Sequence, residues 1–141
     1  MSRGRTILFA DDEPHLQDAL HAVLEAEGFR CLSCSSMTEA VKALHETEIA
    51  VLVTDIMMPA GPDFPEIDSA TTGHHLVDYT LHHFPGTAII CLSVIGEQRV
   101  IDRLKRKGVL FLRKGETPLE KAVQRIKSKA TGIFTPGQRN Q

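Results

Sequence analysis

Ile49-Ala50-Val51-Leu52-Val53-Thr54-Asp55 is the stretch on which the fold turns. An aliphatic run with no polar break reaches a threonine and stops at a carboxylate. A strand with one wet face would alternate apolar and polar side chains. A continuous run implies burial on both faces, which is the condition of a parallel sheet covered by helices. Similar runs lie on either side. Thr6-Ile7-Leu8-Phe9-Ala10 ends in Asp11-Asp12-Glu13. Thr87-Ala88-Ile89-Ile90-Cys91-Leu92 is followed by Ser93, and Val109 to Leu112 by Arg113 and Lys114. Phe29 to Cys34 supplies a fifth short strand.

Helical signals fill the gaps. Leu16, Leu20, Val23 and Leu24 recur at helical spacing, and Gly28 supplies a stop. Ser36-Met37-Thr38-Glu39 reads as a capping box opening a helix that runs to about Glu46. His74 to His83 forms a third helix. Glu97 to Lys107 forms a fourth, with Val100, Ile101 and Leu104 inward. Thr117-Pro118-Leu119-Glu120 reads as a capping box with proline at the first helical position. Leu119, Val123 and Ile126 mark the inward stripe of the helix it opens. Five strand–helix pairs with right-handed crossovers predict an α/β doubly wound five-stranded parallel sheet with helices on both faces.

The composition agrees. The chain has 141 residues, 42% hydrophobic and 24% charged, which suits one globular domain. No apolar run approaches the ~20 residues of a membrane span, and no apolar h-region follows the basic start. Three cysteines are too few for a disulfide framework, so a cytoplasmic location is expected. Residues 1–96 hold 4 basic and 14 acidic side chains; residues 97–141 hold 12 basic and 4 acidic. The basic third reads either as a solvated helix face or as a surface for an acidic partner. Aromatics are 5% and no recognition motif appears, so direct nucleic-acid binding is not expected.

In open parallel sheets, ligands bind beyond the carboxyl ends of the strands. Asp11, Asp12, Glu13, Asp55, Ser93 and Lys114 all stand there. Clustered carboxylates repel one another unless a cation sits among them. Oxygen donors at this density suit Mg²⁺ or Mn²⁺. A metal and a lysine offsetting the charge of a phosphoryl group, while a carboxylate attacks phosphorus, is the chemistry this set favours. The competing reading, that the acids only cap helix N-termini, explains Glu13 but not Asp55, Ser93 and Lys114 together.

With these pieces in this order, the chain resembles the receiver domains of two-component response regulators, the CheY-like fold. The resemblance covers about residues 5–129 and leaves 130–141 as a polar C-terminal tail. It rests on Ile-Leu-Phe-Ala-Asp11-Asp12-Glu13, Val-Leu-Val-Thr-Asp55-Ile-Met-Met-Pro59, Cys-Leu-Ser93 and Phe111-Leu-Arg-Lys114. It implies strand order 2-1-3-4-5, the flavodoxin-like arrangement. It implies that Asp55 takes a phosphoryl group from a phosphohistidine on a sensor histidine kinase. Asp12, Asp55 and the backbone carbonyl of Met57 would hold Mg²⁺ with Asp11 in support. Ser93 would bond a phosphoryl oxygen and Lys114 would pair with the carboxylate, free or phosphorylated. Phe111, three residues before the lysine, matches an aromatic switch that turns inward as Ser93 moves. The fourth helix, fifth strand and fifth helix would carry the signal to a downstream protein or, in a homodimer, to a second copy. The domain would be a phosphoacceptor rather than an enzyme.

The chain departs from the family in three places. Gly115 follows the lysine where the family usually has proline, often in a cis bond. A non-proline cis bond costs about 2.5–4 kcal/mol, so a trans bond or a strained loop is expected. Val94 and Ile95 follow Ser93 and with Met57 are expected to shield the phosphoryl group. Finally, residues 60–72 separate Pro59 from Gly73, a length that suggests either a lid or kinase-selecting element beside Asp55 or a tolerated flexible insertion.

Other motifs weigh less. Cys31-Leu-Ser-Cys34 has redox spacing, but on a strand the two thiols face opposite ways. His74, His75, His82 and His83 lack further ligands for zinc and read as surface residues with some pH sensitivity. Two other readings of the acid set remain. One is a Mg²⁺-dependent phosphohydrolase with an aspartate nucleophile, which needs a carboxylate two residues after that nucleophile; Met57 stands there after Asp55, Glu13 after Asp11. The other is a receiver-shaped scaffold that is never phosphorylated.

Overall fold

The computed structural model describes residues 5–13, 17–94 and 97–132. Leu16, Ile95 and the tail beyond 132 lie outside the described residues. The elements are β1 (Thr6–Ala10), α1 (Asp18–Ala26), β2 (Arg30–Cys34), α2 (Met37–Glu46), β3 (Val51–Thr54), α3 (Thr72–His83), β4 (Ala88–Ser93), α4 (Gln98–Arg106), β5 (Leu110–Arg113) and α5 (Leu119–Thr131). All four strand pairings are parallel, in the order β2-β1-β3-β4-β5. The fold read from the apolar runs is the fold observed.

Strand alternation divides the core in two. Leu8, Leu52, Ile89 and Cys91 face one side, where Met37, Ala40 and Leu44 of α2, Leu76 and Val77 of α3 and Leu104 of α4 cover them. Ile7, Phe9, Val51, Val53 and Ile90 face the other, under Leu20 and Leu24 of α1 and Ala122, Val123, Ile126 and Ala130 of α5. Each inner strand is therefore apolar except at a terminal threonine or serine, because each of its faces meets a helix layer.

Several local expectations need correction. Ser36 does cap α2, accepting from the Glu39 N–H at 3.2 Å. The Glu39 carboxylate, however, returns to the N–H of Ser35 at 2.7 Å, one residue outside the box. Pro118 is the N-cap of α5, not its first helical residue, and no side chain caps that helix. Leu119 consequently points outward and is 44% exposed, while Ala122 takes its expected place in the core. α5 continues to Thr131 with Ala130 buried and closes on Gly132 in the left-handed conformation. α3 begins at Thr72 rather than His74.

The insertion is folded. Its start satisfies the first turn of α2: the N–H groups of Met37 and Thr38 donate to the carbonyls of Pro59 and Ala60. Gly61, at φ +97°, sits so close to Thr38 that a Cβ would lie 2.5 Å from its hydroxyl. Phe64 and Ile67 pack onto the core beneath α2 and α3. Asp68 caps a 3₁₀ turn, Ser69–Thr71, that leads into α3. The middle of the loop thus rests on α2 instead of closing over Asp55 as a lid would.

The three cysteines are free, with Cys34 and Cys91 buried and Cys31 half-buried. Cys34 belongs to one core and Cys31 packs against the other, as expected for strand residues three apart. Burial, aided by the charge of Glu25, pushes the Cys31 thiol up to about 11; burial and Glu39 push Cys34 to about 12, against a backbone hydrogen bond from Ser36. A thiol reagent at pH 8 is expected to react with buried Cys34 and Cys91 only at the rate of unfolding, with half-buried Cys31 more slowly than with a free thiol, and with all three quickly in denaturant. Prompt labelling of the native protein, followed by mass, would contradict this packing.

Candidate functional site

The sheet delivers the site by extending its hydrogen-bond ladder one residue past each strand. The N–H of Asp11 donates to the carbonyl of Cys34 at 3.0 Å, that of Asp55 to Ala10 at 2.9 Å, and that of Lys114 to Ser93 at 2.9 Å. Adjacent strands in register therefore bring residues 11, 55, 93 and 114 to one edge.

The Lys114 ammonium donates to the Asp55 carboxylate at 2.8 Å and also to Asp11. All three side chains are nearly withdrawn from water, at 8%, 8% and 1% exposure. Burial by itself would push the Lys114 pKa down. The hydrogen bonds to Asp11 and Asp55, and their charges, outweigh it and hold the pKa above its ordinary value. This lysine is the cation that the clustered acids demand. Its bond to Asp55 was expected; the one to Asp11 was not, although the repulsion between the two carboxylates was the signal for it.

The other oxygen of each acid also has a partner. The second oxygen of Asp55 accepts from the N–H of Ile56 at 2.6 Å, and that of Asp11 from the N–H of Glu13 at 2.9 Å. Ligand-capable oxygens of Asp11, Asp12 and Glu13 lie within 4.8 Å of one another, with Asp12 and Glu13 exposed. Among the described residues this is the one group of three or more such side chains. Ser93 is fully buried at the end of β4. Phe111 is half-buried against the core under α2, α3 and α4, with the Arg113 guanidinium 5.9 Å from its ring centroid.

Two contributors were not legible in sequence. Thr54, fully buried, donates its hydroxyl to the carbonyl of Asp55 at 2.8 Å. Gly73 donates its N–H to Ile56 at 2.7 Å and lies so near that a Cβ would fall 2.2 Å from the Asp55 carbonyl oxygen. Met57 and Val94 are 45% and 66% exposed. Gly115 follows Lys114 through a trans bond at φ +82°, a conformation closed to proline, whose ring holds φ near −65°.

A family profile described as the response regulator receiver domain matches residues 7–127. The chain is 30% identical over 134 residues to response regulator GtcR of Aneurinibacillus migulanus, covering 93% of this chain and 50% of that protein. It thus spans half the length of that relative. It is 33% identical over 58 residues to the transcriptional regulatory protein GltR of Pseudomonas aeruginosa, covering 41% of this chain and 24% of that one. Its fold is like that of a CheY-like receiver domain protein from Methanospirillum hungatei, with TM-score 0.76, 18% identity and 92% and 95% of the two chains covered. It is also like the RcsB response regulator of Salmonella typhimurium, studied for its interaction with DNA, with TM-score 0.73, 22% identity and 95% and 64% covered.

Gly73→Ala is expected to destabilise the protein by about 1–3 kcal/mol or more, since backbone rather than a flexible side chain stands in the way. Gly86→Ala, where a Cβ meets nothing within 4 Å, serves as control and should be neutral. Urea midpoints compare the two; equal midpoints would refute the tight contact behind Asp55.

Proposed function

The chain belongs to the response regulator receiver domain family and is the receiver domain of a two-component response regulator, and from that premise we propose that Asp55 is its phosphoacceptor. The observation that carries the reading is the shared lysine: a buried ammonium joins Asp55 to the acids at the end of β1. An Asp55 oxygen attacks the phosphorus of a phosphohistidine on a sensor histidine kinase. The O–P bond forms as the P–N bond breaks, and the departing imidazole takes a proton. The new group adds charge and acceptor oxygens. Lys114 is already in place to pair with it, and Ser93 lies at the adjoining strand end to bond one oxygen.

The donor set fits a divalent ion. Several carboxylate oxygens gather at Asp11, Asp12 and Glu13, and hard oxygen ligands suit Mg²⁺ or Mn²⁺. Asp12, Asp55 and the Met57 carbonyl would hold it with Asp11 in support. Once bound, it would offset negative charge on the phosphoryl oxygens.

Phe111 and Ser93 are the proposed switch. Movement of Ser93 toward the phosphoryl group would free space that the Phe111 ring fills. The α4–β5–α5 face would then change shape for a downstream protein. RcsB and GltR connect such domains with DNA or transcription by name, so an output carried by a further segment is compatible with the same face. The phosphohydrolase reading is not favoured. Asp11 is the more deeply buried of the two acids, at 1% exposure against 8% for Asp55, and the family profile that matches is that of receiver domains. No helix among the described residues is long and apolar enough to cross a membrane; a cytoplasmic location remains part of the proposal.

Incubation with Mg²⁺ and acetyl phosphate, followed by intact mass, is expected to show one retained phosphoryl group that is absent in Asp55→Asn. Lys114→Met should slow its formation by at least about tenfold, on the scale of losing one charge-stabilising contact. Turnover of the donor with no adduct, or an adduct that persists in Asp55→Asn, would overturn the assignment.

A further inference from the structure

The opposite edge of the sheet carries a cleft of about 400 Å³ that phosphotransfer does not use. It opens where the chain leaves α2 for β3 and α3 for β4. Leu44, His45, Glu46, Glu48, Ile49 and Phe84 line it. Two fixed contacts shape it. The Thr87 hydroxyl donates to the Ile49 carbonyl at 2.8 Å, pinning one loop to the other. The His45 ring stands edge-on to Phe84 at 5.0 Å between centroids, while its Nε2 is 2.6 Å from the Tyr79 hydroxyl. The aromatic wall is therefore held from both α2 and α3.

The cleft's chemistry is one-sided. Leu44 and Ile49, both buried, give it an apolar floor. Phe84 supplies a ring suited to a cation. Glu46 and Glu48 are exposed carboxylates for which no ion pair forms among the described residues. α2 ends here by passing straight into extended backbone at Thr47, so the negative end of its dipole faces the same space. Floor, ring, carboxylates and helix end all select one ligand type.

We propose that this cleft binds a small organic monocation, an ammonium or guanidinium on an apolar body. The body lies against Leu44, Ile49 and Phe84, and the charge meets Glu46, Glu48 and the end of α2. The site is independent of Asp55: β3 and β4 run from the cleft at one end to the phosphoacceptor at the other.

The test is a series of near-isosteric probes titrated into the ¹⁵N-labelled full chain: benzylamine, benzyl alcohol and phenylacetate. Benzylamine should give saturable shifts at residues 44–49 and 84–87, with a dissociation constant about tenfold below that of benzyl alcohol, the size expected for one carboxylate contact near a surface. Phenylacetate should bind more weakly still. Glu46→Gln with Glu48→Gln, both exposed and safe for folding, should reduce benzylamine to the level of the alcohol. Asp55→Asn should leave its binding unchanged, so the phosphoacceptor reading and this one fail separately. The proposal is overturned by equal binding of amine and alcohol, or by shifts centred on the Asp11–Asp12–Glu13 edge. It is equally overturned by a capped Gly-Arg-Gly peptide that outcompetes benzylamine, which would make the cleft a seat for another chain's side chain.

Discussion

Two carboxylates, Asp11 and Asp55, are withdrawn from water at the same sheet edge and share one ammonium. Most of the site follows from that constraint. Either acid left buried without a partner would cost several kcal/mol or give up its charge. Lys114 removes the difficulty, and the strands hold it there through its own backbone bond to Ser93. The arrangement is also poised. The lysine divides itself between two acceptors, so placing more negative charge on one of them must redistribute its bonds. A site held by one strong pair would lack that property.

The same constraint explains how the sheet and the site were legible together. Unbroken apolar runs ending in Asp11, Asp55, Ser93 and Lys114 specify buried parallel strands, and parallel strands put their last residues on one edge. Strand register then does the rest. What the sequence concealed was backbone-level. Gly73 reads only as the residue that ends the 60–72 stretch, yet its absent side chain is what lets α3 approach the Asp55 carbonyl. Thr54 reads as the last residue of a strand, and only its hydroxyl's direction shows its bond to Asp55. Contacts of this kind leave no periodicity and no spacing.

Helix starts were the weaker reading for a related reason. Ser-x-x-Glu and Thr-Pro-x-Glu look alike as strings, but the first capped α2 and the second did not cap α5. At α2 the insertion occupies the remaining N–H groups, so Glu39 is free to reach Ser35. At α5 the chain arrives through a turn in which Glu116 and Thr117 both donate to the Arg113 carbonyl, and Pro118 is left in extended backbone as the N-cap. The incoming path decided the cap, and that path was set by Gly115 at positive φ.

The insertion ties down the chain that follows Asp55. Met58 bonds to Ser69 across the loop's neck, and Gly73 bonds to Ile56. Residues 56–58, which follow Asp55 directly, are thereby tied to the start of α3 on one side. On the other, Pro59 and Ala60 are tied to the start of α2. A shift in the loop after β3 would therefore have to carry two helix starts with it, each anchored in the core by Met37, Ala40, Leu76 and Val77. Packed cores resist such graded deformation. On the far side of the sheet, the edge strand β5 has only one neighbouring strand to restrain it.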